Sequence, residues 1–122
     1  MKEQAECTVD EWGTKRWFLN GILHRENGPA IERASGTKEW LLHGKHHRED
    51  GPAVEHANGY KEWSLNDKTH REDGPAREWP DGDRLWYLND REVHPEQIVD
   101  LHLSRGTFCY YNEQSNELKF NA

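Results

Sequence analysis

At 122 residues, the chain is one domain's worth. It is one-third charged and one-third hydrophobic, with net charge −7 and mean hydropathy −1.19. Lys and Arg are interspersed with Asp and Glu throughout, so no face reads as the basic footprint of a duplex-DNA binder and no carboxylate run is long enough to mimic DNA. No stretch approaches the ~18 apolar residues of a membrane span. Cys7 and Cys109 stand far apart with no apolar signal segment ahead of them, so a reducing, cytoplasmic home is expected.

The chain is written in a period of 23. His24 to Ala30 (H-R-E-N-G-P-A) returns as His47 to Ala53 and as His70 to Ala76, both H-R-E-D-G-P-A, and the same step links Gly13, Gly36, Gly59 and Gly82 and also Trp17, Trp40, Trp63 and Trp86. A period of this length means stacked supersecondary units. Low hydropathy alone would suit disorder, but disordered chains are poor in aromatics and lack turn residues at fixed offsets. Here the apolar surface is concentrated in a few large rings, each able to remove about 150–250 Å² from water.

In chain order, residues 1–12 read as half a repeat, with Cys7 at the place of Ala30. An edge strand is expected, its first few residues loose. Residues 13–94 form the array. Its strand signal is Lys15, Trp17, Leu19, repeated as Lys38, Trp40, Leu42, then Lys61, Trp63, Leu65, then Arg84, Trp86, Leu88. Alternate positions carry the changing set Phe18, Leu41, Ser64 and Tyr87. Period two with one face held and the other free implies a half-buried strand, and the Trp face is expected to be the core.

Turn chemistry sets the register. Ala34-Ser35-Gly36, Ala57-Asn58-Gly59 and Pro80-Asp81-Gly82 suit three-residue hairpin loops ending on a left-handed glycine. Counting across them places Ala30 opposite Trp40, Glu32 opposite Lys38, and their equivalents in the next two copies. Asn20-Gly21, His43-Gly44, Asn66-Asp67 and Asn89-Asp90 suit two-residue turns with positive φ. That count sets His24, His47 and His70 opposite Trp17, Trp40 and Trp63, imidazole against indole. The Gly-Pro that follows is expected to bend the chain out of the ladder, glycine through unusual dihedrals and proline by lacking a donor.

In the fourth copy Val93 takes the histidine's place and the array stops. Residues 95–122 read as a cap: a helix opened by Pro95 and Glu96, striped by Ile98, Val99 and Leu101 and ended at Gly106, then a hairpin of Thr107 to Asn112 and Glu117 to Phe120. The predicted fold is therefore mainly β, an elongated meander of stacked hairpins with a C-terminal helix-plus-hairpin cap.

At these residues the chain resembles the MORN-type repeat proteins, in particular MORN-like variants of small bacterial and phage proteins in which W-x-x-N-G-x-x-H-R-x-D-G-P-A recurs. The pattern stands most fully here as Trp17 to Ala30, with Asn27 at the Asp position. The resemblance covers about two-thirds of the chain and implies an elongated, twisted sheet that binds proteins or, in other MORN proteins, membrane lipids or junctions.

The His, Arg and carboxylate cluster of each copy holds the ingredients of a catalytic or metal site. Such sites are single, asymmetric pockets, whereas these residues recur at equal intervals, and no nucleophile elbow, Walker loop or H-E-x-x-H accompanies them. His46 and His47 point to opposite faces of a strand. Equivalent histidines of stacked hairpins lie roughly 10 Å apart, too far for one zinc with bonds near ~2.0 Å. The expectation is no enzyme, cofactor or metal.

The reading is instead a non-enzymatic protein-binding module, with a host or bacterial protein as partner. The phage resemblance suggests an inhibitor of a host enzyme or defence complex, of the anti-CRISPR or anti-defence type. The candidate contact residues are Arg25, Arg48 and Arg71 with Phe18, Leu41, Tyr87 and Trp79. The alternatives are a sponge for a nucleotide or other small anion, stacked on rings such as Trp12 and paired with the arginines, and a lipid-associated or junctional scaffold. Oligomeric state is left open by the two edges of such a sheet.

Overall fold

The computed structural model describes residues 4–120. Its centre is a nine-stranded antiparallel sheet running Glu6–Val9, Lys15–Leu19, Ile31–Glu32, Lys38–Glu39, Val54–Glu55, Lys61–Glu62, Arg77–Glu78, Arg84–Leu85, with Ile22–Leu23 paired beside Lys15–Leu19. The meander of hairpins is thus the architecture of the protein. Cys7 faces Trp17 across the first pair, so the N-terminal half-repeat supplies the edge strand. The expectation of a loose start falls on residues 1–3, which lie outside the described residues.

The three-residue loops set the register as counted. Glu32 faces Lys38, Glu55 faces Lys61 and Glu78 faces Arg84, while Gly36, Gly59 and Gly82 take φ of 101°, 102° and 97°. Each glutamate also faces the lysine of the preceding copy, Lys15, Lys38 or Lys61. The row therefore alternates in sign across the sheet, and a slip of pairing by one strand would set like charges opposite.

The Trp strand runs unbroken only in the first copy, Lys15–Leu19; in the next three it is interrupted at the tryptophan, contrary to the simple alternation expected from its sequence. At Trp40 the strand changes partner: its N–H still donates in register to the Ala53 carbonyl of the next copy at 2.7 Å, its carbonyl accepts the His47 N–H at 3.0 Å, and Leu41–Leu42 pairs with Lys45–His46. Ser64–Leu65 with Lys68–Thr69 and Tyr87–Leu88 with Arg91–Glu92 repeat the arrangement. The second, third and fourth copies so contribute one hairpin to the main sheet and one to a second stack beside it, whereas in the first copy Ile22–Leu23 pairs with the unbroken strand Lys15–Leu19 within the main sheet. The tight turns of that stack have positive φ at both residues, for example 50° and 65° at Asn66 and Asp67. Asp67 also receives the His46 N–H on its carboxylate at 2.7 Å, and Asp90 receives that of Thr69 at 2.8 Å.

This break relocates the core. Leu41 and Ser64, expected to point outward, are buried, and Leu41 packs with Ala30, Ile31 and Leu23. Trp17, Trp40 and Trp63 are half-buried, and of the row Trp86 alone is closed, at 4 % exposure. Ala30, Ala53 and Ala76 have no exposure at all, which explains why the residue opposite each Trp is small.

The cap forms as expected: helix Pro95–Ser104, then hairpin Cys109–Asn112 with Glu117–Phe120. His94, at the position of the array's arginine, caps the helix through Nδ1 and pairs reciprocally with Gln97. Gly106 ends it at φ 80°. Tyr111 meets Trp86 edge-on at 6.0 Å, while Ile98 and Val99 are buried. Cys7 and Cys109 are both free thiols. No helix of the described residues is long and apolar enough to cross a membrane.

Candidate functional site

The H-R-E-D-G-P-A loops stand in a row, and the structure gives each residue a task. It is the arginine, not the histidine, that covers the indole: the guanidinium carbons of Arg25, Arg48 and Arg71 each lie 3.9 Å from the ring centroids of Trp17, Trp40 and Trp63. Imidazole-on-indole packing is therefore corrected. A positive planar group over a half-buried ring gains both cation–π attraction and burial of its stem.

On its far side the guanidinium meets glycine. A Cβ added at Gly28, Gly51 or Gly74 would sit 2.9, 2.8 or 2.6 Å from the arginine Cζ. None of the three has a left-handed φ, so the Gly of Gly-Pro is there for room and not, as expected, for unusual dihedrals. The Nη1 groups then donate to the carbonyls of Pro29, Pro52 and Pro75 at 3.2, 3.1 and 3.0 Å. The Nε groups donate to Asn27, Asp50 and Asp73 at 3.3, 3.2 and 2.8 Å. Arg–Asn/Asp–Gly–Pro is thus one closed unit folded onto a tryptophan.

The histidines clip one copy to the next. Nδ1 of His24, His47 and His70 accepts the backbone N–H of His43, Asn66 and Asn89 at 2.8, 3.1 and 3.0 Å. Acceptance at Nδ1 places the ring proton on Nε2, which faces the loop glutamate: 3.7 Å to Glu26, 3.5 Å to Glu49 and 3.0 Å to Glu72. Sequence reasoning missed this. The available signal was that each histidine precedes by 19 residues a tight turn whose first N–H has no partner within its own hairpin.

Between successive loops run grooves. One of about 700 Å³ lies between the loops at 24–30 and 47–53, floored by Trp40 and Leu42; the next, also about 700 Å³, lies between the loops at 47–53 and 70–76, floored by Trp63 and Leu65. Their rims are acidic, with side-chain exposures of 73 % for Glu26, 83 % for Glu49, 89 % for Asp50 and 71 % for Asp73. The second groove is also lined by His102 and Arg105 of the C-terminal helix. Arg105 pairs with the Glu72 carboxylate and the His102 ring bonds the Glu72 carbonyl. His70 first, and then Arg105, hold the Glu72 carboxyl below its usual range.

The sequence-derived contact residues are therefore not one surface. Arg25, Arg48 and Arg71 are brought into line, but their side chains are only 24 %, 24 % and 21 % exposed, and their donors are engaged by their own loops and by the sheet glutamates Glu32, Glu55 and Glu78 at 3.7, 3.7 and 3.6 Å. Leu41 is closed in the core. Phe18 is half-buried opposite Leu23, Tyr87 is half-buried beneath Arg77 at 4.9 Å, and Trp79 packs on Tyr60 at 5.2 Å. Burial, with the nearby Glu62 charge, pushes the Tyr60 hydroxyl up to about 12. Trp12 is an open ring, 72 % exposed, but it stands in the first turn, away from the loops.

Behind the loops, the second stack holds one more charged cluster. His46 Nε2 bonds Glu39 at 2.9 Å and its Nδ1 lies 3.4 Å from Asp67. The bond to Glu39 raises the His46 pKa, and the same bond lowers that of Glu39. Compared with known proteins, the chain matches no family model, no curated protein and no solved structure.

Proposed function

We propose that the chain is a non-enzymatic, MORN-like repeat module that binds another protein along its row of loops. The observation that carries this reading is the copying of one groove at a fixed step, with floor and rim residues of the same types each time. A surface of that kind suits an extended protein partner engaged at several points, whereas small ligands are held by single enclosed pockets with convergent polar groups. The specific form we favour is a phage-encoded inhibitor of a host enzyme or defence complex, acting in the cytoplasm, which rests on the repeat's resemblance alone.

The test is affinity capture with the intact chain from a bacterial lysate, followed by cross-linking and mass mapping. Cross-links from a single captured protein to the rim residues of the loops support the reading. A nucleotide or other anion released on denaturation, with no protein captured, would replace it by the sponge; recovery with lipid vesicles alone would replace it by the membrane scaffold.

A further inference from the structure

Building on that reading, we propose that the groove between the loops at 24–30 and 47–53 receives a cationic helix end of the partner, an arginine with a neighbouring histidine or lysine. The chain itself supplies the pattern. One period along, the equivalent groove takes Arg105 and His102, carried on the last turn of the helix and its C-cap, with the guanidinium on the Glu72 carboxylate and the imidazole on the Glu72 carbonyl. Glu49 is the residue one period before Glu72, and its rim neighbour Asp50 is one period before Asp73.

The two grooves have the same floor, a tryptophan lidded by arginine beside a leucine. They differ in what stands over the glutamate. Where the helix docks, the Glu72 side chain is 34 % exposed; Glu49 is 83 % exposed, and the groove below it is lined by the two loops and the strand beneath alone, among the described residues. Its nearest arginines, Arg25 and Arg48, are engaged by their own loops and by Glu32 and Glu55 of the sheet. The rim therefore presents the exposed Glu26 and Glu49 carboxylates, and the Asp50 oxygen that Arg48 does not take, around a floor of Trp40 and Leu42, which selects a cation on an amphipathic stem over an anion.

The probe is an alanine-based helical peptide carrying residues 101–106 at its C-terminal end, titrated into the full-length ¹⁵N-labelled protein. The expected result is amide shift changes confined to residues 25–28 and 47–51, with binding weakening about tenfold or more between low and high salt. A peptide with Arg105→Glu, and the Glu49→Gln/Asp50→Asn protein, should each abolish the shifts, the latter with an unchanged circular dichroism spectrum. Shifts that persist in the double variant, that fall elsewhere, or that do not appear at about millimolar peptide would overturn the inference. So would saturation by inorganic phosphate, or shifts that track self-association in light scattering. A captured protein whose binding survives Glu49→Gln/Asp50→Asn would overturn this groove while leaving the module reading intact. Peptide binding with no protein partner would do the reverse.

Discussion

Gly51→Ala separates two explanations of the same glycine. If Gly51 stood before Pro52 for backbone freedom, alanine would be harmless: the native φ lies outside the left-handed region, and alanine accepts the extended conformation a following proline favours. The less flexible unfolded chain would then raise stability by about 0.4–1 kcal/mol. The Trp–Arg–Gly sandwich predicts the opposite sign. A Cβ at position 51 lies 2.8 Å from Arg48 Cζ and 3.0 Å from Nε, so the guanidinium must shift from its place over Trp40. Lost with it are a cation–π contact of about 1 kcal/mol and the hydrogen bond to the Pro52 carbonyl, worth about 1.5–3 kcal/mol with a charged donor. The Asp50 pair, with its carboxylate 89 % exposed, contributes little. Since the displaced guanidinium regains water and the entropy gain remains, the net loss should be about 1–2 kcal/mol, several degrees in melting temperature. Urea unfolding of wild type, Gly51→Ala, Arg48→Ala and the double variant measures it. In the Arg48→Ala background the glycine change should be neutral or stabilising, giving a coupling of about 1–3 kcal/mol. A Gly51→Ala midpoint equal to or above wild type would refute the sandwich.

Three other outcomes follow from named contacts. His47→Leu removes the acceptor of the Asn66 N–H and should cost about 1 kcal/mol and speed hydrogen exchange at that amide, while His47→Asn, which keeps an oxygen near the Nδ1 position, should restore most of both. Trp86→Ala, at a site 4 % exposed under Tyr111, should cost about 3–5 kcal/mol, and Trp40→Ala, half-buried beneath an arginine, roughly half as much by denaturant midpoint. For His46 the folded pKa is raised, so its contribution is complete below the unfolded value of 6.5 and is lost as pH rises through the folded value; for Glu39 it is lowered, so that contribution holds above 4.5 and is lost as pH falls through the folded value. Stability should therefore peak between about 4.5 and 6.5 with respect to this pair, and His46→Gln should flatten the alkaline side of that profile.

What could be read from the sequence was whatever the local turn dictates. A three-residue loop ending on a left-handed glycine has one register, so Glu32 opposite Lys38 followed from counting, and the two-residue turns fixed His47 opposite Trp40 in the same way. What could not be counted was where the strand leaves one stack for another. Period two through Lys38, Trp40 and Leu42 assumes a straight strand, and at Trp40 the carbonyl side passes to His47 of the second hairpin, turning Leu41 inward. The grooves were hidden for a related reason: they are made by loops of adjacent copies, and their contents depend on the arginine side chain folding back over the tryptophan eight residues earlier. The pre-proline glycine did carry a legible hint, because a residue before proline is already confined to extended backbone and gains nothing from left-handed freedom.

The arrangement divides the repeat's charges between two duties. Each arginine is turned inward, its face on an indole and its donors on a proline carbonyl and an aspartate or asparagine of the same loop, so the cation is spent on holding the loop closed against the sheet. Each histidine is turned along the stack, its acceptor on the next turn. What remains outward is the glutamate of the first two loops, Glu26 and Glu49, and the aspartate oxygens that the guanidinium does not take, while Glu72 is taken by His70 and Arg105. A chain with both signs side by side in sequence thereby shows mostly one sign at its rims, which composition alone would not reveal. Because the rim carboxylates are exposed and the inward groups half-buried, changing a rim charge should move binding and its salt dependence more than stability, while changing the arginine or its glycine should move stability first.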